Sequence, residues 1–292
     1  MDWTTQARHW PHHTHSRFVQ AAGLRWHVQV WDGPPGARTV LLLHGTGAST
    51  HSWRALAPLL AQRHRVVVPD LPGHAFTGMP PGGAGSPQLG LPGMARALAG
   101  LLQALGASQP DLIVGHSAGA AIAVRMALDG LAAPRRIVGI NAAILPLGGL
   151  ARQWFSPAAK LMAATPLVPR LFAWRAQNPA VLDRLLASTG STLDAEGKAL
   201  YRRLVSDPDH AAGALAMMAN WDLPQLERDL PRLNVPLHLI VGERDHTVPP
   251  ADSKRLLEHI PHAVRGPVTT LSGLGHLAHE EDPARVFALL DE

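Results

Sequence analysis

The sequence predicts an α/β protein: a doubly wound, mostly parallel sheet with an inserted helical cap. Three observations predict it. Short, unbroken apolar runs at 39–43, 111–114, 136–140 and 237–241 alternate with stretches of helical spacing. Runs of this kind suit strands whose two faces are both covered by helices. The alternation stops near Pro146 and returns only after Trp221, so one α/β domain carries a helical insertion. Finally, a glycine-flanked serine, Ser117, sits where one buried run gives way to a helix of small residues.

Each element follows in order. Residues 24–32 alternate, with Trp26, Val28 and Val30 on one face, as a half-exposed strand would. Thr39–Leu43 is a buried strand ending in His44-Gly45, and a helix spans 53–62. Arg65–Pro69 is a strand ending at Asp70; 78–93, rich in Gly and Pro, is a loop. Met94, Leu98, Leu101, Leu102 and Leu105 give a helix. Strands at 111–114 and 136–140 bracket a helix at 118–129. Helical patches at 158–164 and 180–186 belong to the insertion. A strand at 237–241, a helix near 251–259, a strand at 268–271 and a helix at 283–290 complete the pattern. The domain reading is a core of 1–145 and 222–292 with a cap of 146–221.

Bulk properties narrow the function. The chain has 292 residues, 46% of them hydrophobic, enough for one large domain with an insertion. It has no cysteine, which excludes disulfides, thiolate metal sites and cysteine nucleophiles. The net charge of +4 is spread over scattered arginines with no basic block, so no nucleic-acid partner is expected. The N-terminus is polar and histidine-rich (Arg8, His9, His12, His13, His15) and reads as surface; it lacks the apolar core of a signal peptide. No run approaches the ~18 apolar residues of a membrane span, so a soluble cytoplasmic protein is expected.

The chemistry centres on Gly115-His116-Ser117-Ala118-Gly119, a G-x-S-x-G pattern. A serine presented on a sharp strand-to-helix turn needs room on both sides, which Gly115 and Gly119 supply. Its partners should follow in the order acid, then histidine. Asp245 lies just past the strand at 237–241, where catalytic groups of such sheets gather. Glu243 is its rival, two residues earlier. His276 follows the last strand in a glycine-rich loop, with His279 as its rival. His276-x-x-His279-Glu280 also resembles a metal-ligand run, but it is not H-E-x-x-H and no third ligand is evident, so no metal is expected. His44 and Gly45 open a turn that can offer the Thr46 amide, beside that of Ala118, to an oxyanion.

With these motifs on the page, the chain resembles the α/β-hydrolase family over nearly its whole length. Asp70-Leu-Pro-Gly-His74 is similar to that family's D-x-P-G-H turn. The resemblance implies a Ser117–Asp245–His276 triad, an insertion acting as a lid, ester hydrolysis and no cofactor. Serine at the elbow argues against the dehalogenase and epoxide hydrolase branches, which use aspartate there. Several longer segments are similar to the magnesium-chelatase accessory proteins of bacteriochlorophyll biosynthesis: 26–29, 44–53, 115–121, 217–223 and 275–281. That similarity implies magnesium chelatase or a tetrapyrrole as a partner, and a non-catalytic accessory role as the alternative function.

The insertion hints at a small-molecule, apolar substrate. Trp154, Phe155, Phe172 and Trp221, with His116 of the elbow, are candidate pocket residues. Packing of the cap on the core explains the same apolar density. Arg152, Lys160, Arg170 and Arg175 interleave with it, so peripheral contact with a membrane is a further expectation.

Overall fold

The computed structural model describes residues 1–146, 165 and 167–290; Trp154, Phe155 and the helical patch at 158–164 lie outside them. Eight strands form one sheet in the order β1-β2-β4-β3-β5-β6-β7-β8. β1 (Ser16–Ala21), β2 (Leu24–Trp31) and β4 (Arg65–Pro69) pair antiparallel. β3 (Thr39–Leu43), β5 (Leu112–His116), β6 (Arg136–Ile140), β7 (Leu237–Gly242) and β8 (Arg265–Leu271) continue the sheet in parallel from β4. The doubly wound, mostly parallel class expected from the sequence is the observed one.

Alternation along each strand divides the core. Leu41 and Leu43 of β3 join the cluster under α3 (Leu91–Ala104) and α4 (Ala118–Leu128), while Val40 and Leu42 join the cluster under α2 (Leu56–Ala61) and α12 (Pro283–Leu290). Both faces are therefore dry, which is why these strands read as continuous apolar runs. The chain leaves β3 toward β4 on one side and returns to β5 on the other. Strand order reverses there, and the loops after β3 and β5 flank a crevice at the carboxyl ends. Their register pairs Leu43 with Gly115, so His44–Gly47 and Ser117 are neighbours.

The N-terminal region departs from expectation. β1 was not anticipated, and β2 is buried on both faces rather than half-exposed. The histidine-rich segment is the reason. A short helix, α1 (Trp3–Gln6), stacks Trp3 on His27 at 4.8 Å. Gln29 donates to the Pro11 carbonyl at 2.6 Å, and His15 stacks on Trp31 at 4.7 Å. Trp10 is fully buried with its indole N–H on Thr50 Oγ1 at 3.0 Å. Arg8, His9 and His13 are exposed, as expected of surface, while the rest of the segment covers β2.

Between β6 and β7 every regular element among the described residues is helical: α5 (Leu167–Ala176), α6 (Pro179–Ser188), α7 (Ala195–Val205), α8 (Pro208–Ala219) and α9 (Leu223–Asp229), with one short 3-10 turn at Leu230–Arg232. Asn178, Asp194 and Asp207 cap α6, α7 and α8 with side-chain oxygens, as short polar residues at this position do. α8 approaches the Asp70–His74 turn backbone to backbone: a Cβ on Gly213 would collide with the Gly73 carbonyl. His210 of α8 bridges the contact, accepting from the Ala75 amide at 3.0 Å and facing the Gly47 carbonyl at 3.1 Å. Arg54, between Asp194 at 2.6 Å and Glu280 at 3.1 Å, fastens α7 to α11 (Ala278–Glu281). α10 (Ala251–His259) connects β7 to β8 and buries Leu256 in the core. Among the described residues no helix is long and apolar enough to cross a membrane.

Candidate active site

Ser117 sits between the last residue of β5 and the first of α4 with φ 51° and ψ −117°, a strained conformation for a side-chain-bearing residue. Strain of this kind costs about 1–3 kcal/mol and survives only where neighbours enforce it. Here the Ser117 amide donates to the Ile140 carbonyl at 2.9 Å, and its carbonyl accepts from Ala120 and Ala143, each at 3.1 Å. A Cβ on Gly115 would strike the backbone of Gly119 and Ala120, and one on Gly119 would strike the Leu43 carbonyl. The glycines are thus a steric requirement of the elbow. Ser117 is half-buried, so its hydroxyl is reachable from the crevice.

Asp245 and His276 come from different loops and meet. His276 Nδ1 lies 2.8 Å from Asp245 Oδ2, and both residues are buried. Asp245 also accepts from the Thr247 and Val248 amides at 2.7 and 2.9 Å and from Asn141 Nδ2 at 2.6 Å. Three donors besides the imidazole fix the orientation of the carboxylate. With Nδ1 committed to Asp245, Nε2 is the nitrogen left for a substrate or nucleophile. The His276 loop is pinned in turn: its amide donates to the Thr189 carbonyl at 3.1 Å, and its carbonyl faces His116 Nε2 at 2.8 Å. Residue 116 precedes Ser117, so the second contact ties the histidine loop to the elbow. Among the described residues no hydrogen bond joins the Ser117 hydroxyl to His276; in free enzymes that contact is often long and tightens with substrate.

The turn after β3 carries the candidate donors. His44 Nε2 accepts from the Leu71 amide at 2.9 Å, so Nδ1 carries the proton and donates to the Gly45 carbonyl at 2.8 Å. Burial holds this imidazole below its usual pKa, although the Asp70 carboxylate works the other way. The Gly45 carbonyl and the Thr46 amide belong to one planar peptide and point in opposite directions. Anchoring the carbonyl on His44, together with the Ala48 amide at 3.2 Å, therefore sets the direction of the Thr46 N–H. Ala118 is the first residue of α4, and its amide has no intrahelical partner. Among the described residues neither amide has a hydrogen-bond acceptor.

The rivals are placed elsewhere. Glu243 is exposed and accepts from the Gly273 amide at 2.9 Å. His279 is buried between Trp53 and His116, ring centroids 4.6 and 4.4 Å away, and burial lowers its pKa to about 3. Glu280 turns to Arg54 and Tyr201; burial raises its pKa to about 8 against the pull of those two donors. Among the described residues no group of three His, Asp or Glu side chains is placed to hold a metal.

The pocket residues fare unevenly. Phe172 is not with the site: it lies in an outward groove of about 340 Å³ that none of Ser117, Asp245 and His276 lines. Its helix turns only small residues, Pro169, Ala173 and Ala176, inward. His116 is buried beneath the site as a brace on the His276 loop rather than a wall open to substrate. Trp221 is buried in the main core with Met217, whose sulfur accepts from the Thr46 hydroxyl at 3.6 Å. Two positioning residues went unnoticed in the sequence, Asn141 and Thr189. Asn141 stands immediately past the end of β6 at φ 47°, and that position was a usable signal; Thr189 acts through its carbonyl, which no sequence motif reveals.

Comparison with known proteins bears on the fold and the family. A family model described as "Alpha/beta hydrolase family" matches residues 40–289. The chain is 39% identical to a "Magnesium-chelatase 30 kDa subunit" of Rhodobacter capsulatus over 285 residues, 96% of this chain and 94% of the relative. Among solved structures, a candidate lipase from Acinetobacter baumannii superposes with a TM-score of 0.77 at 18% identity, covering 100% of this chain and 95% of that one. An alpha/beta hydrolase fold protein from Burkholderia ambifaria gives 0.74 at 23% identity, with 95% and 100% covered.

Proposed function

Because this chain belongs to the alpha/beta hydrolase family, we propose that it is a serine hydrolase cleaving an ester of an apolar small molecule. The observation that carries the reading is the His276–Asp245 pair at 2.8 Å, locked by His116 to the strand that presents Ser117. Ser117 Oγ attacks the substrate carbonyl as His276 Nε2 takes its proton. Asp245 orients the imidazole and stabilises the imidazolium without taking the proton itself. The Thr46 and Ala118 amides hold the tetrahedral oxyanion, each worth about 2.7–4 kcal/mol of barrier in comparable sites. His276 then protonates the departing alcohol. Water, activated by the same nitrogen, attacks the acyl-enzyme and releases the acid. The helices between β6 and β7 act as a lid, with α8 over the oxyanion turn.

The test is a panel of p-nitrophenyl esters of increasing chain length. Wild type should hydrolyse them, and Ser117→Ala, His276→Ala and Asp245→Asn should each lose activity by at least ~10³-fold while remaining folded. Equal rates for wild type and Ser117→Ala would end the hydrolase reading.

The chelatase relative favours a second reading, an accessory protein that binds a tetrapyrrole or docks on magnesium chelatase. Complementation separates the two. Ser117→Ala restoring pigment synthesis in a deletion strain favours the accessory role; failure by a folded variant favours catalysis.

A further inference from the structure

Ordinary surface helices turn apolar residues inward and polar ones outward. α5 does the reverse. Its inward positions are Pro169, Ala173 and Ala176. Leu167, Leu171 and Trp174, at spacings of four and three, are 74%, 57% and 66% exposed on one outward stripe. Leu185 of α6 is also exposed, and Phe172 opens into the groove between the two helices. Among the described residues the only other exposed large apolar side chain is Met79.

Charge on the same face has one sign. Arg170, Arg175 and Arg184 are exposed beside the apolar stripe. The single acid on the two helices, Asp183, is already paired with Lys198 at 3.1 Å. In the sequence no acidic residue occurs between Asp129 and Asp183. An apolar stripe flanked by arginines and free of acids matches an anionic bilayer: apolar side chains enter the acyl boundary and arginines meet phosphates.

We propose that α5 and α6 form a docking face for the surface of an anionic membrane, with Leu167, Leu171 and Trp174 inserted and Arg170, Arg175 and Arg184 at headgroup level. The face lies on the helices between β6 and β7, so docking presents the lid side of the crevice to the bilayer. This proposal is independent of whether Ser117 turns over a substrate.

Flotation of the full-length chain with vesicles tests it, using phosphatidylcholine alone against equal parts phosphatidylcholine and phosphatidylglycerol. Wild type should float with the anionic vesicles and far less with the neutral ones, and added salt should weaken binding. Arg170→Gln with Arg175→Gln should reduce partition about fivefold per arginine. Leu171→Asp with Trp174→Asp should abolish it while leaving the urea midpoint within error, because both side chains are exposed. Flotation unchanged in the apolar double variant overturns the proposal. So does failure of wild type to float; if wild type instead self-associates and the apolar variant does not, the face belongs to a second copy of the chain.

Discussion

His27 holds Asp70 at 2.7 Å in a near copy of the 2.8 Å contact between His276 and Asp245. The copy extends further, since Ser16 Oγ lies 2.9 Å from His27 Nε2. Two Ser, His and Asp sets therefore exist, the first hydrogen-bonded throughout and the second only between His276 and Asp245, and their surroundings separate them. Ser16 begins an ordinary strand, whereas Ser117 is strained outward beside two unengaged amides. His27 is enclosed by Trp3, Phe18 and Phe76, and the side-chain amide beside Ser16, that of Gln29, is already engaged by the Pro11 carbonyl. Asp70 is spent on structure: it accepts from the Thr50 and Phe76 amides. Burial pushes its carboxyl up, but His27, His44 and the Thr50 amide bring the net pKa below the usual range.

A fluorophosphonate probe should distinguish the sets. Labelling should fall on Ser117, vanish in Ser117→Ala and persist at the wild-type rate in Ser16→Ala. Intact mass and peptide mapping give the readout. Label on Ser16 in the Ser117→Ala protein would show that hydrogen bonding alone activates a serine here, contrary to the role assigned to the elbow and amides.

On the proposed mechanism His44 acts through the Gly45–Thr46 peptide, which gives a prediction for a residue that need not touch substrate. His44→Ala removes one of the two bonds that anchor the Gly45 carbonyl, leaving that from the Ala48 amide at 3.2 Å, and leaves the Leu71 amide without its acceptor. Complete loss of one oxyanion donor costs about 2.7–4 kcal/mol; loss of its orientation should cost part of that, about 10–100-fold in kcat, with little change in KM. Thr46→Ser should be near neutral, because the donor is the backbone. A fall in KM alone on His44→Ala would contradict the positioning role.

Asn141 offers a cleaner substitution. Its φ of 47° suits glycine, so Asn141→Gly removes the side-chain donor to Asp245 without adding strain. Hydrogen bonds to charged groups contribute about 1.5–3 kcal/mol. Esterase kcat should fall about 10–100-fold while the fold persists. Wild-type kcat in Asn141→Gly would mean that the Thr247 and Val248 amides suffice to hold the carboxylate.

The sequence made the parallel core legible because buried strands leave unbroken apolar runs, and Val40–Leu43 or Ile113–Val114 could scarcely be anything else. It also made Ser117, Asp245 and His276 legible as candidates, because each lies just past a strand end. β1 escaped notice because Ser16–Ala21 mixes polar and apolar residues and is recognisable only through its partner β2. The cover formed by residues 1–15 was illegible for a related reason: its histidines and tryptophans find partners distant in sequence, Trp10 on Thr50 and His12 on the Arg54 carbonyl. Phe172 misled because apolar density in a cap reads alike whether it faces a pocket or the outside.

Burial of neutral histidines makes the protein sensitive to mild acid. Burial lowers the His210 pKa to about 4, with the Gly47 carbonyl opposing, and His44, His51, His74 and His116 are likewise lowered, chiefly by burial. A histidine lowered in the folded state binds its proton first in the unfolded chain. Its contribution is complete above pH ~6.5, declines as pH falls, and is exhausted near the folded pKa. For His210 the drop between pH ~6.5 and ~4 amounts to about 3 kcal/mol, and His279 extends the decline toward pH ~3. Protonating His210 also removes the lone pair that receives the Ala75 amide, so α8 should loosen from the Asp70–His74 turn. Glu280, raised to about 8, works the other way and adds stability as pH falls from ~8. Urea midpoints should therefore not decline between pH 8 and about 6.5, and should fall below it, where the lowered histidines together outweigh this one carboxyl. His210→Gln should be less stable than wild type at pH 7 yet lose less on going to pH ~4.5. A midpoint that rises on acidification from pH ~6.5 would contradict the neutral, buried assignment of these rings.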